Sequence, residues 1–319
     1  MTFARRFGAA PELGVGVMLL LLVLGVGTIQ PRFFGIDTLG IVLLAVPLIL
    51  IAAMGQMMVI VARHIDLSIG SMLGFSAIAA GIVFRDHPEW PLYVGFLVAL
   101  SVGAVLGFFN GLLITLFKLP SIIVTLGTLS LYRGLIFILS DGRQIDPNHI
   151  PEALIAMAQP SSFGLPWIVV IALAVAFATW LLMKHTQVGR QIYAIGSNPD
   201  AARLRGIKVA PLTVLVFTLS GILAGLAGIV YAARFGYVNP GITGVGFEFT
   251  VIAAVVIGGA SIAGGIGTVL GTLIGVLLLG TVSVALPILG VSGFWQSATY
   301  GAIILLALLM DRLVRRRSQ

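Results

Sequence analysis

A chain of 319 residues that is 59% hydrophobic and 9% charged, with 40 glycines and a mean hydropathy of +1.13, lies outside the composition of soluble globular domains. It holds no cysteine, which excludes disulfides and thiolate metal sites, and His64, His87, His149 and His185 are too scattered to form a metal cluster. A net charge of +7 would point a soluble protein toward nucleic acid, but along a membrane chain it sets topology.

About 20 apolar residues cross a bilayer. On that measure the chain is an all-α polytopic membrane protein, one transmembrane domain over 1–319. About ten spans are expected, near 13–29, 39–62, 67–84, 91–117, 121–140, 166–183, 211–233, 248–263, 267–286 and 294–310. Arg5 and Arg6 precede the first apolar run, which ends in Gly27-Thr28-Ile29-Gln30-Pro31 without a small-x-small cleavage pattern, so it reads as a retained helix. With the N-terminus inside, thirteen of the 18 Lys and Arg fall on the cytosolic side, which predicts cytosolic N and C termini. The outer loops are short, the longest being Asp141 to Leu165. High-affinity capture of a solute therefore falls to another polypeptide or to the membrane itself.

Within the spans, Gln56 and Asn110 are uncharged polar groups at depth. Asp66, in ARHIDLSIGS, is placed to cap the third span, with a cytosolic contact as the alternative. Gly103, Gly107 and Gly111 recur every four residues, as do Gly267, Gly271 and Gly275, and Gly221 with Gly225. That spacing lets helices approach closely, within the subunit or between two copies. In the fifth span Thr125, Thr128 and Tyr132 form one polar stripe, and Arg133 must face the interior, water or an acid, or snorkel to the outer interface. Interhelical hydrogen bonding is the plain role for all of these; lining a pathway for a neutral, hydroxyl-rich solute is the sharper one.

The longest charged stretch is the loop 184–210. In it Asn198 is a good N-cap, Pro199 suits the first helical position, Asp200 complements the helix dipole and Gly206 ends the turn. The helix predicted from Pro199 to Arg205 is too short to be stable in water alone, so it needs a partner to dock on. Further along, Glu248 opens the eighth span as a helix-start acid or an outer contact. Pro47 and the glycines between Gly258 and Gly265 interrupt spans, which favours a pathway over an anchor. The runs Ser68 to Gly74 (SIGSMLG) and Gly265 to Gly271 (GIGTVLG) are alike, as in transporters with duplicated halves. No lysine follows a glycine in a phosphate-binding loop, and no metalloprotease or serine-hydrolase motif is present.

The loop GRQIYAIGSNPDAARLRGI, with ARHIDLSIGS and LPSIIVTLGTLSLYRG, resembles ribose-type ABC importer permeases, and the likeness runs from about Thr38 to Arg312. GTLSLYRG is most similar to the branch with rhamnose and autoinducer-2 permeases. The resemblance implies a bacterial inner-membrane permease for a monosaccharide or similar solute, working by alternating access with a second permease copy or paralogue. It implies a cytosolic ABC ATPase carrying ATP and Mg, an extracytoplasmic solute-binding protein, and no cofactor, metal or nucleic acid on this chain. In that view Gly189 and Arg190 precede a coupling helix made by Asn198, Pro199, Asp200, Ala201, Ala202, Arg203, Leu204 and Gly206; Gln56, Asn110, Thr125, Thr128, Tyr132 and Arg133 belong to the translocation pathway; and Glu248 meets the binding protein. The competing readings are a stand-alone secondary transporter or channel, which would need ion-coupling acids or a filter, and a branched-chain amino-acid permease.

Overall fold

A computed structural model describes residues 11–161 and 164–292, with isolated positions between 295 and 305. The predicted span 294–310 and the terminal arginines lie largely or wholly outside the described residues.

The described chain is helical, and eight of its helices are long and apolar enough to cross a membrane. They are α1 (Pro11–Ile29), α2 (Ile36–Val61), α3 (Ile69–Asp86), α4 (Leu92–Leu116), α5 (Ser121–Ser140), α7 (Trp167–His185), α10 (Val209–Phe235) and α12 (Val269–Ile288). Four shorter helices complete the order: α6 (Glu152–Ala156), α8 (Gln187–Ser197), α9 (Pro199–Leu204) and α11 (Phe247–Ile257).

Helix α2 is the axis of the bundle, with every residue from Ala45 to Val61 buried. Pro47 sits inside it and leaves the Leu43 carbonyl without its amide donor, an interruption that membrane helices tolerate where other helices pack around them. Helices α7, α10, α11 and α12 pack around this axis, α3 packs on α10, α4 and α5, and α1 lies against α12 at the periphery. The most extensive contact joins α4 to α10. There the first glycine stripe does what its spacing predicts: a Cβ on Gly103, Gly107 or Gly111 would strike the backbone of Gly221, Phe217 or Val214. The second stripe packs in the same way, Gly271 against Gly258 and Gly275 against Ala254, joining α12 to α11. Both stripes are therefore spent on close packing inside one subunit.

The eighth predicted span, 248–263, is corrected. The helix there is α11, only 11 residues long. At about 1.5 Å per residue it rises roughly 16 Å, half the hydrocarbon thickness. Gly258 ends it, and Gly259, Gly264 and Gly265 follow with φ of +91°, +84° and +77°, a left-handed path that an apolar helix cannot continue through. The chain reaches α11 by an equally broken route. Gly236 (φ +70°) stops α10, Val238 bridges to Ile145, and residues 239–246 fold back along α3 until Gly244 lies against Gly70 in its first turn. Such backbone is tolerated at depth because protein buries it.

Two connectors, Ala62–Ser68 and Gly258–Thr268, thus turn the chain at the same end of the bundle, the end that carries Arg63, Lys118 and the 184–210 loop. They touch where Gly264 lies against Arg63, and beside that contact the Gly265 amide donates to the carbonyl of Val61, the last residue of α2, at 2.9 Å. The two similar heptapeptides do not start their helices in the same register, since α3 begins at the second residue of one and α12 at the fifth of the other.

Candidate translocation core and coupling surface

The exposed basic end is organised by two short helices. Thr186 caps α8, its hydroxyl accepting from the Gly189 amide at 3.1 Å. Helix α8 was not anticipated, although Gly189, Ile192 and Gly196 recur at spacings of three and four and, with Ile195, are the residues it buries. Asn198 then closes α8 and opens α9. Its side-chain oxygen accepts from the amides of Asp200 and Ala201, both at 3.0 Å, Pro199 takes the first position, and Gly206 (φ +79°) ends the unit. The helix ends at Leu204, one residue before the predicted Arg205. Arg203 pairs with Asp200 on its outer face, an exposed pair of little energetic weight. Ala202 is buried against the body, whereas Leu204 is 91% exposed. Gly189 and Ala202 face inward, and Arg190, Ala201 and Arg203 are exposed.

Beside α9 a cavity of about 880 Å³ opens between Arg63, His64, Lys118, Ser121, Arg203 and Thr213. Burial pushes the His64 imidazole down to about 4, so its fixed charges are the arginines and the lysine. A separate cavity of about 800 Å³ lies around Tyr231, Phe235, Phe247, Phe249 and Thr250, and shares no lining residue with the first.

Deep in the bundle the structure assembles most of the polar residues read from the sequence into one network. With its side-chain oxygen and nitrogen assigned to suit their neighbours, the Gln56 amide donates to Asp66 O and accepts from Asp66 N, both at 3.3 Å. Asp66 is therefore level with Gln56, about 7.5 Å inside the end of α2 at 1.5 Å per residue. Its Oδ1 accepts from the Ser68 amide at 2.9 Å and the Ser68 hydroxyl at 2.7 Å, while Oδ2 has no hydrogen-bond partner among the described residues. Asn110 Nδ2 donates to Ser68 Oγ at 2.8 Å, and the Tyr132 hydroxyl donates to Asn110 Oδ1 at 2.9 Å. The chain Gln56–Asp66–Ser68–Asn110–Tyr132 ties α2, α3, α4 and α5 together with no residue more than 2% exposed.

Asp66 is thus not the N-cap of the third span. That position is held by Ser68, and Asp66 instead closes a tight side-chain turn two residues earlier. Being fully buried, it touches no cytosolic partner in this conformation. Thr125 and Thr128 share the buried face of α5, and Thr125 donates to Ser121 O at 2.8 Å. Ser68 and Ser121 were missed, because a lone serine at a helix start carries no signal until the fold supplies its partner.

Arg133 stands apart from the network. Its Nη1 donates to Thr243 O at 2.8 Å and reaches Pro240 O at 3.5 Å, pinning the 239–246 segment. Glu248 is 6% exposed and lies beside Gly70, directed into the bundle rather than toward an outer surface.

Comparison with known proteins completes the picture. Residues 38–308 match the family described as branched-chain amino acid transport system, permease component. The chain is 36% identical to the autoinducer 2 import system permease protein LsrC of Enterobacter sp. (strain 638), over 90% of this chain and 82% of that protein. It is likewise 36% identical to the protein of that name from Photorhabdus laumondii, over 90% and 85% of the two chains. A solved chain assigned to a metal-chelate type ABC transporter in an inward-facing conformation shares the fold, with a TM-score of 0.52 at 18% identity, covering 94% of this chain and 98% of that one. This multi-pass protein of the bacterial inner membrane therefore belongs to the branched-chain amino acid transport system permease-component family, as a transport subunit of its ribose-type ABC importer branch.

Proposed function

We propose that the chain carries autoinducer-2 or a similar small polyhydroxylated solute inward by alternating access, driven by a separate cytosolic ATPase that docks on α9. Kinship with autoinducer 2 import permeases over nine-tenths of the chain supports the solute class. The observation that carries the mechanism is α9 itself: six residues, capped at both ends, with Leu204 held 91% exposed. Isolated, so short a helix has no stability. Its burden is to be gripped.

ATP and Mg would be held by the ATPase, and this chain would contribute no hydrolytic group. A second permease, identical or paralogous, and an extracytoplasmic solute-binding protein complete the assembly. The interior polar groups are uncharged apart from Asp66, Arg133 and Glu248, which suits a neutral hydroxylated solute better than an ion. Binding of nucleotide drives the exchange only through unequal affinity for outward- and inward-facing states. Gln56, Asn110, Thr125, Thr128 and Tyr132 would line the pathway, closed in this conformation, and opening would require the Asn110 bonds to part.

Proteoliposomes carrying the chain with its ATPase and binding protein test this reading through ATP-dependent uptake of labelled autoinducer-2 and ribose. Deleting Asn198 to Gly206 is expected to abolish uptake while the spans still fold. ATP-driven uptake by the deleted chain, with the ATPase still attached, would overturn the assignment.

A further inference from the structure

The coupling unit does not reach the membrane helices only through its covalent ends. Three backbone segments converge under the C-terminal half of α8. The Tyr193 hydroxyl donates to the Gly267 carbonyl at 2.7 Å, across 74 residues of sequence. One turn on, Gly196 lies against the Val61 carbonyl and the Gly265 amide, the two groups that bond each other at 2.9 Å. A Cβ on Gly196 would fall 2.7 Å from Gly265 N and closer still to Val61 O. The neighbouring contacts repeat this tightness. A Cβ on Gly264 would meet the Gly196 carbonyl and Arg63 Cβ, each at 2.7 Å, and one on Gly265 would meet Ser197 at 2.5 to 3.0 Å. Backbone packed on backbone has no soft side chain to absorb a displacement, so a shift of α8 is passed on rather than damped.

The two segments it meets are the end of α2 at Val61, which runs straight into the connector Ala62–Ser68 that begins α3, and the connector Gly258–Thr268 that begins α12. One of them, Ala62–Ser68, carries Asp66 and Ser68, the residues that hold Asn110 and through it Tyr132. A route of contacts thus runs from α9 through Ser197, Gly196 and Tyr193 to Gly258–Thr268 and to Val61, the residue that enters Ala62–Ser68, and from that connector into the buried polar network.

We infer that Tyr193 and Gly196 are positioning residues that lock helix α8 to the two connectors, so that movement of the docked helix α9 shifts Ala62–Ser68 and Gly258–Thr268 as one piece. The inference rests on the transport reading for its purpose, but its physical content belongs to this chain alone. Neither residue needs to touch solute. The tyrosine supplies a directional tether and the glycine supplies the close approach that makes the three segments one body.

Amide hydrogen exchange on the full-length permease in neutral-lipid nanodiscs tests the lock without any partner. Tyr193→Phe, which removes only the hydroxyl, is expected to speed exchange about tenfold at Gly265 and across both connectors, the scale of one lost hydrogen bond. Gly196→Ala is expected to do the same by wedging the segments apart. Tyr93→Phe, at an exposed position of α4, is the control and changes neither connector. In the assembled importer the same two variants are expected to keep the ATPase bound and hydrolysing while solute moved per ATP drops about tenfold, a ratio that general loss of stability would leave unchanged. Faster exchange confined to Gly258–Thr268, with Ala62–Ser68 unaffected, overturns the inference, as does an unchanged transport-to-hydrolysis ratio. If the wild-type chain retains no ATPase at all, the transport reading fails instead, and the exchange result still decides whether the lock exists.

Discussion

Replacing Asn198 with alanine removes one side chain and leaves the apolar body untouched. Its Oδ1 is the acceptor for two amides at the head of α9, those of Asp200 and Ala201, each at 3.0 Å. Loss of an asparagine N-cap costs about 1 kcal/mol, with a range of roughly 0.5 to 2. In a long helix packed on both sides that sum would vanish into the remaining contacts. Here the helix has six residues, only Ala202 is buried, and Arg203 and Asp200 form an exposed pair, so the cap is a large part of what holds it. A loss of 1 kcal/mol lowers the folding equilibrium constant of α9 about fivefold, and affinity for the ATPase falls by up to that factor. The assay is titration of purified ATPase onto the permease in nanodiscs, paired with exchange rates at Asp200 and Ala201. Asn198→Asp, which keeps an acceptor at the same place, is expected to restore both. Equal ATPase affinity for wild type and Asn198→Ala, with faster exchange at Asp200, would refute the claim that the partner grips α9 as a helix.

Three further outcomes follow from the packing. Gly107→Val is expected to separate α4 from α10 and abolish a cooperative melt, whereas Gly127→Ala, with nothing within 4 Å of the added carbon, is expected to leave the midpoint within about a degree of wild type. Asn110→Leu leaves the Ser68 and Tyr132 hydroxyls without their shared partner and is expected to cost about 1 to 3 kcal/mol, read as a lowered melting midpoint of the solubilised chain. Arg133→Gln is expected to free residues 239–246, seen as faster proteolysis between Val238 and Phe247 with α2 and α10 still protected.

Much of this protein could be read without its fold. The eight long helices are local facts, because about 20 apolar residues in lipid can satisfy their backbone only as helix. Helix α9 was legible for a similar reason: Asn198, Pro199 and Gly206 act on the backbone within a few residues of themselves. The glycine stripe of α4 announced a close partner, though not that the partner was α10. Asp66 and Glu248 show the other side. Glu248 does stand in the first turn of α11 as a helix-start acid, while the cap expected of Asp66 falls to Ser68; but both acids are buried, Glu248 beside Gly70, and no local pattern announced that burial.

Composition and local chemistry therefore determined that the chain is a membrane bundle and where its coupling helix starts and stops, since hydropathy, capping and glycine conformation are short-range properties. Only the tertiary structure decided that α11 stops halfway, that Gln56, Asp66, Ser68, Asn110 and Tyr132 form one buried chain of hydrogen bonds, and that α8 rests on both broken connectors. The links that cross the fold, Ser68 to Asn110, Tyr193 to Gly267 and Val61 to Gly265, join groups dozens to about two hundred residues apart, and a hydrogen bond across that distance leaves no period, spacing or cap in the sequence by which to find it.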